Sequence, residues 1–369
     1  MRRALELAAR ADYLTSPNPM VGAIVLDRVG ELVGEGFHAR AGEHHAEKVA
    51  LDRAGASARG GTLYATLEPC SHHGRTPPCA DAVIAAGIRR AVIAMEDPDP
   101  KVAGSGIARL RAAGVEVEVS SEAKVKADPE GDAARHLNRF YLKHRSTGLP
   151  WVTVKFGSSL DGRISTTAGE SRWITGEAAR QEGHRLRQRH DAILVGAGTI
   201  VADDPELTNR LLGAVRQPLR VVLDSTLRIP RAAKVLDQRQ ARTLVVTTER
   251  APQTARATIG AAAEVATVTA AGPQQRVDLN RVLELLGARD IISVLVEGGA
   301  EVNGAFFDAD LVDGVAAFLA PLVIGGRAAP AAVGGEGVIR LADAHRLTNL
   351  VVRRIGDDLL IEGDVHRDR

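Results

Sequence analysis

Both cysteines of this 369-residue chain fall within ten positions of each other, as Cys70 and Cys79. They flank Ser71-His72-His73-Gly74-Arg75-Thr76-Pro77-Pro78, and His45-Ala46-Glu47 stands upstream. One imidazole and two thiolates converging on a point hold a metal through three protein ligands and leave a fourth position open, the arrangement of a catalytic zinc. Such a site dictates much of the fold around it. Gly61-Thr62-Leu63-Tyr64-Ala65-Thr66-Leu67 alternates β-formers and reads as a strand that delivers Cys70 at its carboxyl end. Pro78 opens and Gly87 closes a helix that begins at Cys79, and Glu47 to Ala54 reads as another helix. His45 and Cys79 thus sit at helix amino termini, where the dipole favours a thiolate. A disulfide suits a lone pair in a large chain without secretory features poorly. The bland alternative, two small buried hydrophobes beside a surface His-Glu pair, needs both cysteines to flank this loop by accident.

Glu47 is left over from the ligand set and free to move protons. Metal-activated water adding to an amino-bearing ring carbon, with a non-ligand glutamate as acid and base, is the logic of zinc deaminases. His-x-Glu alone is a weak signal, and so is Pro-Cys; the combination is strong. The generic deaminase pattern is Cys-x-x-Cys, whereas eight residues separate the cysteines here. That longer loop departs from base-editing and cytidine enzymes. Its His72, His73 and Arg75 are candidates to shape a substrate pocket, Arg75 as a phosphate clamp. Taken singly, each of the two histidines reads better as a solvated loop residue.

The formal net charge of +1 and an aromatic content of 3% leave no basic stripe with stacking platforms, which argues against nucleic acid as partner. The amino terminus, Met1-Arg2-Arg3-Ala4-Leu5-Glu6-Leu7, reads as an amphipathic helix and not as a secretory signal. The apolar stretch from Val315 to Ile324 is short and interrupted by Pro321, too little to span a membrane. The expected compartment is a reducing cytoplasm.

Length predicts two domains. A charged segment from Ser121 to Arg145 reads as helix, broken at Pro129-Glu130-Gly131, and Ser146-Thr147-Gly148-Leu149-Pro150 punctuates the chain before an apolar strand at Trp151. Strand candidates in the first part are Val21–Leu26, Thr62–Leu67, Ala91–Met95 and Val115–Val119. In the second they are Ala192–Val195, Leu219–Leu223, Thr243–Val246 and Ser293–Val296, with a terminal hairpin from Leu350–Arg354 and Asp358–Ile361. Strands alternating with helices predict layered α/β sheets in both. Ala251 to Gln275 is alanine-rich, carries no motif and reads as surface structure. Gly196-Ala197-Gly198 is a degenerate dinucleotide fingerprint, since Val201 holds the third glycine position. Val296-Glu297-Gly298-Gly299-Ala300-Glu301 is the better pyrophosphate loop, with a tight strand-to-helix turn as the equal alternative.

Longer runs carry a resemblance. Thr66 through Cys79, Ser16-Pro17-Asn18-Pro19-Met20-Val21-Gly22, Glu96 through Gly104, Lys155 through Arg163, Gly169 through Thr175, Ala202 through Thr208 and Val296 through Gly299 are spread across nearly the whole chain. Together they resemble the bifunctional deaminase–reductase family of riboflavin biosynthesis. The resemblance implies a cytidine-deaminase-like three-layer α/β/α domain over residues 1–145 and a dihydrofolate-reductase-like α/β domain over residues 146–369. It implies one Zn2+ per deaminase domain on His45, Cys70 and Cys79, Glu47 as the catalytic group, and Asn18 and Arg75 on the substrate. For the second domain it implies NADPH held by Gly157, Trp173, Thr199, Asp203, Ser225, Gly299, Ala300, Glu301, Val302, Asn303, Gly304 and Ala305. Lys155, Ser171, Arg187, Leu207, Arg210 and Glu297 match positions that hold the ribosyl phosphate substrate, and the two arginines are sensible phosphate partners. The implied order is deamination of a diaminopyrimidinone ribosyl phosphate and then reduction of its ribosyl group, in a cytoplasmic homo-oligomer, dimer or tetramer, bound to neither nucleic acid nor membrane.

Two departures stand out. Asp99 replaces the family's usual asparagine, and a carboxylate cannot donate the amide hydrogen bond. His44 stands where proline is common and offers a second imidazole, but the His-x-Glu spacing favours His45. A nucleic-acid base deaminase with an accessory domain is opposed by the charge, the few aromatics and the cysteine spacing. A zinc-stapled structural protein has no need of Glu47.

Overall fold

The computed structural model describes residues 1–71, 77–100, 102–120 and 128–366. The chain divides into two compact units, Met1–Gly148 and Leu149–Arg369.

The first unit runs α1 (Arg2–Ala9), β1 (Gly22–Leu26), β2 (Leu32–Phe37), α2 (Ala46–Ala54), β3 (Thr62–Ala65), α3 (Cys79–Ala85), β4 (Arg90–Ile93), α4 (Ser105–Ala112), β5 (Glu116–Val119), α5 (Pro129–Leu137) and α6 (Arg139–Thr147). Its five-stranded sheet has the order β2-β1-β3-β4-β5. β1 is antiparallel to both its neighbours, and β3, β4 and β5 run parallel. Pairing of Ile24 with Tyr64 and of Gly22 with Phe37 puts these side chains on one face, where Ala4 and Leu7 of α1 cover them. α2 covers the other face so closely that a Cβ on Gly36 would stand 2.8 Å from the Ala46 carbonyl oxygen. Helices on both faces make the three layers.

β2 has no counterpart among the strands expected from the sequence. Gly34 and Gly36 depress its strand signal, yet they are what lets α2 approach. Residues 121–127 lie outside the described residues; α5 begins at Pro129, within the expected break, and a further break lies at Asn138. Proline is tolerated at the first helical position, and the Asp128 side chain accepts from the Gly131 amide to cap α5. At Asn138 the side chain brackets Met20, accepting from its N–H at 2.7 Å and donating to its carbonyl at 3.0 Å. α6 then continues to Thr147, and Gly148 ends it with φ +74°.

The second unit runs β6 (Trp151–Ser159), α7 (Glu177–Arg189), β7 (Ala192–Gly196), α8 (Ala197–Asp203), β8 (Leu219–Leu223), β9 (Thr243–Thr247), α9 (Gln253–Gly260), β10 (Glu264–Thr267), the short pair β11 (Ala270–Ala271) and β12 (Arg276–Val277), α10 (Leu279–Gly287), β13 (Ser293–Val296), α11 (Ala300–Asp308), β14 (Gly314–Ala320), β15 (Leu347–Ile355) and β16 (Asp358–Val365). The nine-stranded sheet has the order β10-β9-β8-β7-β13-β6-β14-β16-β15. β10 through β14 in that order are parallel, and the β15–β16 hairpin closes the edge antiparallel. The central strands are apolar on both faces, as a parallel sheet covered twice must be. Ala192 and Leu194 pack with α10 and α11, and Ile193 and Val195 with α8 and α9. The alanine-rich segment is more than surface: Ile259 and Ala263 enter the core, and β10 forms the other sheet edge. Among the described residues no helix is long and apolar enough to cross a membrane.

Candidate active sites

In the first unit β3 delivers the chain toward Cys70, and a buried carboxylate shapes the loops around that strand end. Glu68 accepts four backbone N–H groups: Gly106 at 2.8 Å and Ile107 at 3.1 Å on Oε1, Gly104 at 3.0 Å and Asp97 at 3.2 Å on Oε2. It thereby ties the loop after β4 and the start of α4 to the strand end that carries Cys70. His45 caps α2 with extended backbone, and Cys79 is the first residue of α3.

The structure brings the three expected ligands together. The His45 Nδ1, Cys70 Sγ and Cys79 Sγ atoms all lie within 4.8 Å of one another. His45 Nδ1 is 3.3 Å from Cys79 Sγ and 3.7 Å from Cys70 Sγ. The Cys79 N–H, at a helix start, donates to the Cys70 sulfur at 3.3 Å. Hydrogen bonds from Cys79 and His45 hold the Cys70 thiol down, at about 4. The hydrogen bond to Cys70 and burial push the Cys79 thiol the other way, upward, so without a metal the pair keeps its one proton on Cys79. One imidazole nitrogen and two sulfurs match zinc's preference for N and S donors, so the residues fit that ion.

Glu47 lies in the first turn of α2, only 3% exposed, and burial pushes its carboxyl up to about 7. His45, Cys70 and Glu47 line one cavity of about 470 Å3, together with Asn18, His38, Asp97, Asp99, Tyr141 and Arg145. His38 orients Asn18. Burial keeps the His38 imidazole neutral, lowering its pKa. Its Nδ1 faces the His44 carbonyl oxygen at 3.1 Å and so carries the proton. Nε2 is then an acceptor, and Asn18 Nδ2 donates to it at 3.2 Å. Among the described residues the Asn18 amide oxygen has no donor, which leaves it to accept from a ligand. Asp99 pairs with Arg145 at 3.4 Å, and Asp97 accepts from the Tyr141 hydroxyl at 3.0 Å. His38, Tyr141 and Arg145 escape sequence reasoning because they stand outside any motif. Arg75, with His72 and His73, lies outside the described residues.

In the second unit the expected residues gather at the carboxyl ends of β6, β7, β8 and β13, where ligands of parallel sheets bind. Lys155 and Gly157 are on β6, Thr199 and Asp203 on α8 just after β7, Ser225 just after β8, and Glu297 and Gly299 just after β13. Glu297 is held by a two-pronged ion pair, with Arg187 Nε at 2.7 Å and Nη2 at 2.8 Å. Arg187 Nη1 donates to the Thr208 carbonyl at 2.8 Å, so its guanidinium is chiefly an anchor for Glu297. Burial works to raise the Glu297 carboxyl, but Arg187 and Lys155 outweigh it and hold it at about 2. Burial lowers the Lys155 ammonium, against Glu297.

The Gly298–Gly299 turn leads into α11, whose first turn has no side-chain cap. The amides of Ala300 and Glu301 have no acceptor among the described residues, as at the open start of a helix, whereas the Gly299 N–H is already given to Thr199 Oγ1 at 2.9 Å. Asn303 and Gly304 point the other way. Asn303 donates to the Ala332 carbonyl at 2.8 Å, and a Cβ on Gly304 would lie 2.2 Å from Gly334 backbone. Glu301 pairs with Arg276 at 3.4 Å. Ser225 Oγ accepts from the Val277 amide at 3.1 Å. Val302 and Ala305 lie on α11, and Ser171 in the segment before α7. Leu207 is buried with φ +52°, so only its backbone can meet a ligand. Trp173 is 67% exposed with the Arg180 guanidinium 4.4 Å above its ring, an open aromatic plate. Arg210 Nη1 donates to Glu206 at 3.2 Å.

Residues 1–95 match the cytidine and deoxycytidylate deaminase zinc-binding region, and residues 150–361 match the RibD C-terminal domain. The chain is 42% identical to the riboflavin biosynthesis protein RibD of Bacillus amyloliquefaciens, over 100% of this chain and 99% of that one. It is 40% identical to the Escherichia coli RibD, over 98% and 97%. Among solved structures, Acinetobacter baumannii RibD superposes with a TM-score of 0.85 at 37% identity, covering 99% of this chain and 98% of that one. A Thermotoga maritima protein described as a diaminohydroxyphosphoribosylaminopyrimidine deaminase/5-amino-6-(5-phosphoribosylamino)uracil reductase superposes at 0.83 with 34% identity, covering 99% and 97%. Full-length likeness at this level, with both family regions in order, makes this chain a member of the RibD family of riboflavin biosynthesis proteins.

Proposed function

We propose that the chain carries out two consecutive steps on one pyrimidine ribosyl phosphate. The first unit deaminates 2,5-diamino-6-(5-phosphoribosylamino)pyrimidin-4(3H)-one, and the second reduces the ribosyl group of the resulting uracil to a ribityl chain. The observation that carries this reading is the convergence of His45, Cys70 and Cys79 beside the buried Glu47 in a cavity also lined by Asn18.

His45, Cys70 and Cys79 would hold a zinc ion, which would supply the Lewis acidity that lowers the pKa of water toward neutrality. Glu47, with its carboxyl near 7, takes a proton from the attacking water and returns protons to the ring nitrogen and departing ammonia. The Asn18 amide oxygen accepts from a ring or amino N–H. In the second unit NADPH supplies the hydride. The first-turn amides of α11 seat its pyrophosphate, and Trp173 offers an aromatic face. Glu297, locked by Arg187, accepts from sugar hydroxyls beside Lys155.

The edge of the second sheet supports the reading of a homo-oligomer. β15 ends that sheet with Leu350, Val351 and Val352 about half exposed, an apolar strand with free backbone groups. Light scattering of the purified protein distinguishes dimer or tetramer from monomer. Two unpaired cysteines suit a reducing cytoplasm.

Mass analysis of the products tests the two steps. Zinc-loaded protein with the diaminopyrimidinone ribosyl phosphate should yield a gain of about one mass unit, and about two more once NADPH is added. No gain with zinc present would overturn the deaminase reading, and a missing second gain the reductase reading.

A further inference from the structure

His184 is neither a zinc ligand nor one of the expected reductase residues, yet it stands among the latter. It lies on α7, three residues before Arg187, and such a spacing puts both side chains on one helix face. Its Nδ1 accepts the backbone N–H of Arg210 at 3.3 Å. An imidazole nitrogen that accepts carries no proton, so in the neutral ring the hydrogen is on Nε2. Among the described residues Nε2 has no hydrogen-bond partner, and it is not sealed from solvent. Burial, then Arg187 and Arg210, lower the imidazole to about 4, so it stays neutral at ordinary pH.

The surroundings favour an anion. Lys155, Arg187 and Arg210 all act on His184, against Glu297. Arg187 is committed to Glu297 and the Thr208 carbonyl. Arg210 spends Nη1 on Glu206 and Thr208, which leaves its Nε and Nη2 uncommitted among the described residues. The hydrogen bond from the Arg210 amide joins the two residues into one local unit. That unit presents a neutral donor with a fixed tautomer and a guanidinium with free N–H groups, and a phosphate monoester accepts from both.

We propose that His184 is a substrate-binding residue of the reductase site, donating Nε2–H to the phosphate of the phosphorylated sugar alongside the Arg210 guanidinium. This rests on the reductase reading above. It makes Nδ1 structural and Nε2 the ligand contact, and the two amide side chains separate these roles. The Asn oxygen reaches the Nδ1 position and keeps the Arg210 tie, whereas the Gln amide reaches the Nε2 position and keeps the donor.

The probes are ribose 5-phosphate and ribose, titrated calorimetrically into the full-length protein, followed by KM and kcat for the deaminated ribosyl phosphate with NADPH. His184→Asn should weaken ribose 5-phosphate about tenfold or more, the cost of one charge-assisted hydrogen bond. It should leave ribose binding, the KM for NADPH and ammonia release unchanged. His184→Gln should stay within about threefold of wild type on ribose 5-phosphate and on KM. Wild-type affinity in His184→Asn overturns the proposal, as does an equal loss on ribose or failure of His184→Gln to rescue. A wild type that does not oxidise NADPH removes the reductase reading, and the ribose 5-phosphate titration still decides whether His184 is a phosphate ligand.

Discussion

Glu68→Gln tests whether the deaminase site is built around a buried carboxylate. Glu68 is 3% exposed and receives two N–H groups on each oxygen. Glutamine has the same shape but only one oxygen. Whichever way its amide turns, two backbone donors lose their acceptor and meet an NH2 group instead. Hydrogen bonds to a charged acceptor contribute about 1.5–3 kcal/mol each, so losing two costs roughly 3–6 kcal/mol. The cost is local, because the four amides belong to residues 97–107, which also present Asp97, Asp99 and Val102 to the cavity. Hydrogen exchange of a peptide spanning these residues is the direct assay. At about 1.4 kcal/mol per decade, protection should fall by about two to four orders of magnitude. Deaminase activity should fall with it while NADPH oxidation persists. Unchanged protection, or a loss spread evenly over both units, would refute the idea that this one carboxylate organises the loop.

Other changes probe the remaining parts. Glu47→Gln should retain zinc, measured by metal analysis, and lose ammonia release by about two orders of magnitude or more. Cys70→Ser should lose both zinc and deamination while calorimetry still detects NADPH binding. Glu297 carries a pH prediction. Its carboxyl is depressed from 4.5 to about 2, so its ion pair with Arg187 and its attraction to Lys155 stabilise the second unit by about 3 kcal/mol above its unfolded pKa. That stability is lost as pH falls from about 4.5 through 2, and acid unfolding followed by the fluorescence of Trp151 and Trp173 should show it. Arg187→Met should remove this acid-dependent component and destabilise the unit at neutral pH by about 3–5 kcal/mol, because Glu297 is left without its main partner.

Much of the deaminase half was legible in the chain itself. The ligands sit at boundaries between elements, and boundary signals such as Pro78 and the strand-end Glu68-Pro69 are local. The positions of His45, Cys70 and Cys79 at helix starts and a strand end therefore follow from neighbours within a few residues. β2 was not legible, because its glycines weaken the strand signal while serving the packing of α2 against them. Nor was the helix break at Asn138, which answers to Met20, 118 residues away.

What the sequence alone determined is the chemistry available: one imidazole, two thiolates and a spare carboxylate at a spacing that suits zinc, and an α/β alternation around them. What only the tertiary structure decided is which polar atoms are already used. Arg187, an expected phosphate partner, is given to Glu297, and the Gly299 amide to Thr199. Asn303 faces the protein interior, while His184, with no motif around it, keeps an Nε2 without a partner among the described residues. A hydrogen bond depends on distance and direction between residues remote in the chain, and short-range sequence pattern carries neither.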